Sequence, residues 1–166
     1  RSNRVDLLAG IELFLYHGDL VVAHVNDLLF ELWPQLQERG EQEIVVPGEM
    51  AVCPGWRLRS QIITYTSLNF SEYIAYLDAK KLGNKLMIGR VKPGDRFSPF
   101  GDKAHTKKVG DFWTAEGLPA RARKDWPLVR SGEEIVWVPG FRIADPYRVD
   151  ETTTEVIRLE LIKNNR

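Results

Sequence analysis

Residues 43–66 read EIVVPGEMAVCPGWRLRSQIITYT, and this stretch decides the fold class. Val, Ile and Thr crowd around Pro47-Gly48 and Pro54-Gly55. Branched side chains are stiff in a helix but fit a pleated surface, and Pro followed by Gly suits the two central positions of a tight turn. The spacing predicts three strands, Ile44 to Val46, Met50 to Val52 and Leu58 to Thr66.

Upstream, Ile11 to Val22 reads as a hairpin turning at His17-Gly18-Asp19. Asn26-Asp27 opens a short helix or an apolar loop through Leu28, Leu29, Leu32 and Trp33, because Pro34 stops any longer helix. Downstream, strands are expected at Tyr73 to Leu77 and Leu86 to Val91, the second ended by the turn Lys92-Pro93-Gly94-Asp95. Val109, Phe112 and Trp113 share one helical face, so a helix is expected from Thr106 to Glu116, closed by Gly117. A second short helix starts at Pro119 and runs through Asp125, since Pro127 bars its continuation. Strands at Ile135 to Val138, Phe141 to Ala144 and Glu155 to Ile162 complete the chain. The expected fold is α+β and mostly β, a sandwich-like or partly open barrel of short strands with one helical insertion. It forms one domain over residues 1–166, with a β-rich first half (1–84) and a second half (85–166) that carries the charge and the motifs.

From Lys85 to Arg130 there are eleven Lys/Arg against five Asp/Glu, a net of +6. The whole chain has 23 of each sign, so the remainder carries −6, and a neutral average hides a polarised molecule. The single Cys53 excludes an internal disulfide and favours a reducing, cytoplasmic setting. No apolar run approaches the ~20 residues that span a bilayer, so no membrane partner is expected. His17, His24 and His105 have no metal-ligand spacing, and neither a Gly-x-Ser-x-Gly elbow nor a phosphate-binding Gly-x4-Gly-Lys loop occurs. No catalytic or metal residue is therefore expected. Phe97, Phe100, Phe112 and Trp113 read as core rather than as a stacking platform.

Lys92-Pro93-Gly94-Asp95-Arg96-Phe97, Pro99-Phe100-Gly101, Thr106-Lys107-Lys108-Val109 with Asp111-Phe112, Leu118-Pro119, Arg123, Trp126-Pro127 and Ile135-Val136-Trp137-Val138 with Gly140 and Arg142 occur in this order. The set, which spans about half the chain, resembles the C-terminal domain of bacterial tRNA(Ile)-lysidine synthetase and is similar to a domain of phenylalanyl-tRNA synthetase β subunits. It departs from the family at Asp102-Lys103-Ala104-His105, where a glycine-rich loop is usual. The resemblance implies a non-catalytic part of an ATP-dependent ligase that attaches lysine to C2 of a wobble cytidine. ATP and magnesium would belong to an N-terminal catalytic domain, because the pyrophosphatase loop of that domain does not occur here. This chain opens at Arg1 rather than at a methionine, and the expectation is a longer polypeptide.

On this reading the partners are a tRNA acceptor stem and the catalytic domain. The contact residues would be Arg90, Lys92, Arg96, Lys103, Lys107, Lys108, Arg121, Arg123, Lys124 and Arg142. Lys103, Lys107 and Lys108 are expected in a loop leading to a helix N-terminus, where a phosphate would sit. Asp95 and Asp111 are expected to fix a turn and a helix start. The competing reading is a structural domain that docks on the catalytic domain or forms a homodimer. It would expose an apolar patch, with Trp33, Trp56 and neighbouring leucines as candidates.

Overall fold

In the computed structural model, residues 4–64, 68–102 and 105–164 are described. Strands β1 (Arg4–Asp6), β2 (Ile11–Tyr16) and β3 (Asp19–His24) form a small antiparallel sheet in that order. The hairpin turns at His17-Gly18 as expected, with φ of 50° and 88°. Glycine takes that conformation at no cost, and His17 takes it because two positive φ values match the twist of the strands.

Next come β4 (Gln42–Ile44), β5 (Gly48–Cys53), β6 (Trp56–Thr64), β7 (Ile74–Asp78), β8 (Leu86–Gly89), β9 (Arg96–Phe97) and β10 (Lys107–Lys108). Helices α1 (Val109–Ala115) and α2 (Ala120–Arg123) precede β11 (Leu128–Ser131), β12 (Glu134–Val138), β13 (Arg142–Ile143) and β14 (Glu155–Lys163). One sheet has the order β13-β12-β11-β8-β4, a second β5-β6-β14-β7, and β9 pairs with β10. A continuous core joins both larger sheets to the helices through Trp33, Trp56, Trp113, Trp126 and Trp137. The expected mostly-β class with a helical insertion describes this architecture.

Several local expectations need correction. Trp33 and Trp56 are buried, so they form no exposed patch. Of the two alternatives for residues 26–33, the structure has the loop rather than the short helix. Gly48 opens β5 rather than serving a Pro-Gly turn, and a Cβ there would meet the Val45 carbonyl at 2.9 Å. The helix expected from Thr106 begins only at Val109, because Lys107 and Lys108 pair as a strand with Phe97 and Arg96. The Val109 amide donates to the Asp95 carbonyl at 3.1 Å, which satisfies one of the helix's free N–H groups. The other end fits expectation. Gly117, at φ 76°, donates to Thr114 while Leu118 donates to Trp113, closing α1 as a Schellman turn. Of the expected strand Leu58 to Thr66, the last two residues lie outside those described.

Candidate nucleic-acid interface

The basic segment divides into an interior seam and an outer strip. In the seam, Arg130 is 1% exposed. It makes a two-pronged ion pair with Asp95 (3.0 and 2.5 Å), donates to the Arg90 carbonyl, and lies 3.3 Å from Glu41. Lys92 reaches the same Glu41 at 2.9 Å and Glu133 at 3.5 Å. Asp95 also accepts from the Lys92 amide at 2.6 Å, so it fixes the Pro93-Gly94 turn, as expected of it. Arg90 donates to the Leu36 carbonyl at 2.5 Å and sits 2.9 Å from Asp125.

Arg121 crosses from α2 to the first sheet. It donates to Glu12 (3.0 Å) and to the carbonyls of His24 and Asp27, and it lies over the Phe14 ring. Glu12 is buried and is also met by Arg4 at 2.9 Å. Arg123 turns back on its own helical unit, donating to the Leu118 carbonyl and the Thr114 hydroxyl, and burial lowers its pKa. Arg90, Lys92, Arg121 and Arg123 are thus engaged with protein groups.

The outer strip surrounds α1. Arg96 and Lys108 are exposed and directly opposite each other in the β9–β10 pair. Lys107 is paired with Asp102, whose carboxyl it holds below the usual range, with His105 and Arg142 adding to the effect. Arg142 is exposed and touches Glu116, just past the end of α1, at 3.4 Å. Lys124, just beyond α2, is exposed. Lys103 lies outside the described residues. Two cations facing each other across a strand pair destabilise it, and among the described residues neither Arg96 nor Lys108 has an acidic partner. Lys107 and Lys108 form the short strand that runs directly into α1, with Lys108 at the N-cap position of that helix.

Phe97, Phe112 and Trp113 are core residues as expected, whereas Phe100 is half-exposed. It lines a groove of about 520 Å³ with Phe70, Tyr76, Phe141, Arg142 and Arg148. Phe70 and Arg148 did not stand out in the sequence. The available signal for Phe70 was a lone aromatic ring set among Asn69, Ser71 and Glu72. Cys53 is buried, accepts from the Gln35 amide at 3.4 Å, and has its thiol pKa raised by burial, which marks it as a packing residue. Among the described residues no three His, Cys, Asp or Glu side chains gather as a metal would require, and no helix is long and apolar enough to cross a membrane.

Residues 86–161 match a family model for the TilS substrate C-terminal domain. The chain is 28% identical over 165 residues to the tRNA(Ile)-lysidine synthase of Caldanaerobacter subterraneus subsp. tengcongensis, covering 98% of this chain and 34% of that protein. It is 33% identical over 133 residues to the tRNA(Ile)-lysidine synthase of Dehalococcoides mccartyi, covering 78% and 28%. A crystal structure of a TILS C-terminal domain shares the fold with a TM-score of 0.68 at 21% identity, over 76% of this chain and 98% of that one. The chain spans about a third of the length of these curated relatives.

Proposed function

The chain belongs to the tRNA(Ile)-lysidine synthase family as its C-terminal domain, and on that premise we propose that it holds the tRNA acceptor stem while the remainder of the enzyme modifies the wobble cytidine. The observation that carries this reading is the face-to-face placement of Arg96 and Lys108, neither with an acidic partner among the described residues, Arg96 donating only to the Thr106 carbonyl at 3.1 Å. The single carbonyl contact of Arg96 does not offset the like charge opposite it, whereas a phosphate between the two cations turns repulsion into attraction. Lys107 and Arg142 extend the charge toward the two ends of α1, and Lys103 and Lys124 are the further cations assigned to the contact. A-form RNA presents phosphates and 2′-hydroxyls to such a surface, so the strip supplies affinity and orientation rather than base identity. Arg90, Lys92, Arg121 and Arg123 act behind it, holding the elements that display it. ATP and magnesium act in the remainder of the enzyme, and this chain contributes no catalytic group.

Binding to an acceptor-stem minihelix at two salt concentrations tests the reading. Lys107→Ala with Lys108→Ala should weaken binding and make the slope of log affinity against log salt shallower by roughly 1 to 2. Equal affinity with an equal slope would refute it.

A second reading has its own support. Val5, Leu13, Leu15, Leu20 and Val22 share the face of the first sheet turned away from Phe14 and Glu12, and Leu20 and Val22 are 63% and 61% exposed. This face docks on the remainder of the enzyme or on a second copy. It is separate from the basic strip, so the two roles coexist. Sedimentation of the chain carrying Leu20→Lys and Val22→Lys separates them: docking or self-association is lost and minihelix binding stays.

A further inference from the structure

We propose that the groove between β7 and β13 takes unpaired nucleotides of the bound RNA, with bases stacked on Phe70 and Phe100 and phosphate held by Arg142 and Arg148. The inference rests on the tRNA-binding reading above and adds a second kind of contact to it.

Phe70 is 84% exposed and Phe100 48%. Single exposed apolar residues are ordinary, but two phenylalanines sharing one concave groove, lined further by Tyr76 and Phe141, have the character of a ligand site. Both are anchored. Ser71 bridges to Ile74 beside Phe70, the Phe70 ring meets Tyr76 edge to face at 6.0 Å, and the Tyr76 hydroxyl donates to the Asn69 carbonyl. Phe100 is fixed by its amide, which donates to the Ile143 carbonyl at 2.9 Å, and by the neighbouring bridge from Pro99 to Ala144. The backbone that carries each ring is therefore held in place, and stacking one base on such a ring is worth about 1–3 kcal/mol.

The polar rim suits a nucleotide. Arg142 has one 3.4 Å contact to Glu116, and Arg148 engages Asp145 through Nη1 alone, so both guanidinium groups keep free donors for phosphate. Glu72 also lines the groove and can accept from the exocyclic amino group of a base. Arg142 links the groove to the strip, since its charge is felt at Asp102, the partner of Lys107. Bases inside an A-form duplex are stacked on one another, so only an unpaired strand leaving the duplex can use these rings.

The test compares a blunt minihelix with one bearing a four-nucleotide unpaired 3′ extension, by fluorescence anisotropy. The chain should bind the extended form at least fivefold more tightly, the lower bound for one stacked base. Phe70→Ala and Phe100→Ala should each remove most of that advantage at an unchanged melting temperature, and Phe70→Trp should keep it. No advantage, or one that survives both alanine changes, would overturn the inference while leaving the duplex-binding reading in place. Failure to bind either RNA would overturn the reading beneath it.

Discussion

The seam around Arg130 and the strip around Lys108 come from the same basic segment, yet they use charge in opposite ways. In the seam the arginines are largely buried and met by carboxylates or carbonyls: Arg130 by Asp95, Arg121 by Glu12, Arg90 by Asp125 and Leu36. In the strip, Arg96 and Lys108 face each other, and among the described residues neither has an acidic partner. Arginine's planar, multi-donor head suits the first task, which joins several elements at one point. In the strip the charge is met only in part, Lys107 by Asp102 and Arg142 by Glu116 at 3.4 Å. Positive charge in a sequence is thus no measure of positive surface until its partners are known.

Variants should separate the two regions, beginning with the largest effect. Arg130→Met leaves the Asp95 carboxylate, which the fold holds nearly buried, without its counter-ion, and should cost about 3–5 kcal/mol of stability in thermal or denaturant unfolding. Arg121→Ala should cost about 2 kcal/mol, less because Arg4 still meets Glu12. Hydrogen exchange should show that loss concentrated in β1, β2 and β3, the sheet that Arg121 ties to α2. A uniform loss across the chain would blur the distinction.

Lys108→Thr should move the two properties in opposite directions. Removing a like charge from the β9–β10 pair should raise stability by about 0.2–0.5 kcal/mol, read from the melting temperature, while minihelix binding weakens. A loss of stability would mean that the strip is structural. The smallest effect concerns pH. Asp102 is ionised more readily in the folded chain because of Lys107, so their pair is present above the ordinary carboxylate range and is lost only as pH falls through the lowered value. A carboxyl titration by NMR should place the Asp102 midpoint below about 3.9.

The β2–β3 hairpin, β5, β6 and β14 were legible because alternation and turn residues are local signals. Ile157, Leu159 and Leu161 lie on the buried face of β14, as their spacing predicted. Strand β11 was not legible. Its four residues are all buried, and the Arg in their midst reads as surface until Asp95, 35 positions upstream, is brought beside it. The two-residue strands β9 and β10 are too short to carry a period, which is why the helix was expected three residues too early. The exposed apolar surface was looked for at Trp33 and Trp56, but large aromatics after an interrupted run are what a core of two sheets and a helix consumes. As for the candidate site, the basic segment is visible in the sequence, but which of the ten candidate residues are engaged by protein groups is not, since a carbonyl acceptor such as Leu36 or His24 leaves no mark in a sequence.

The central claim, that the strip rather than the seam meets RNA, is tested most directly by hydrogen exchange of the chain with and without an acceptor-stem minihelix. Slowed exchange should fall on β9, β10, the start of α1 and the neighbourhood of Arg142, and leave β1–β3 unchanged. Protection confined to β1–β3, or none around Lys107 and Lys108 at saturating RNA, would contradict the account.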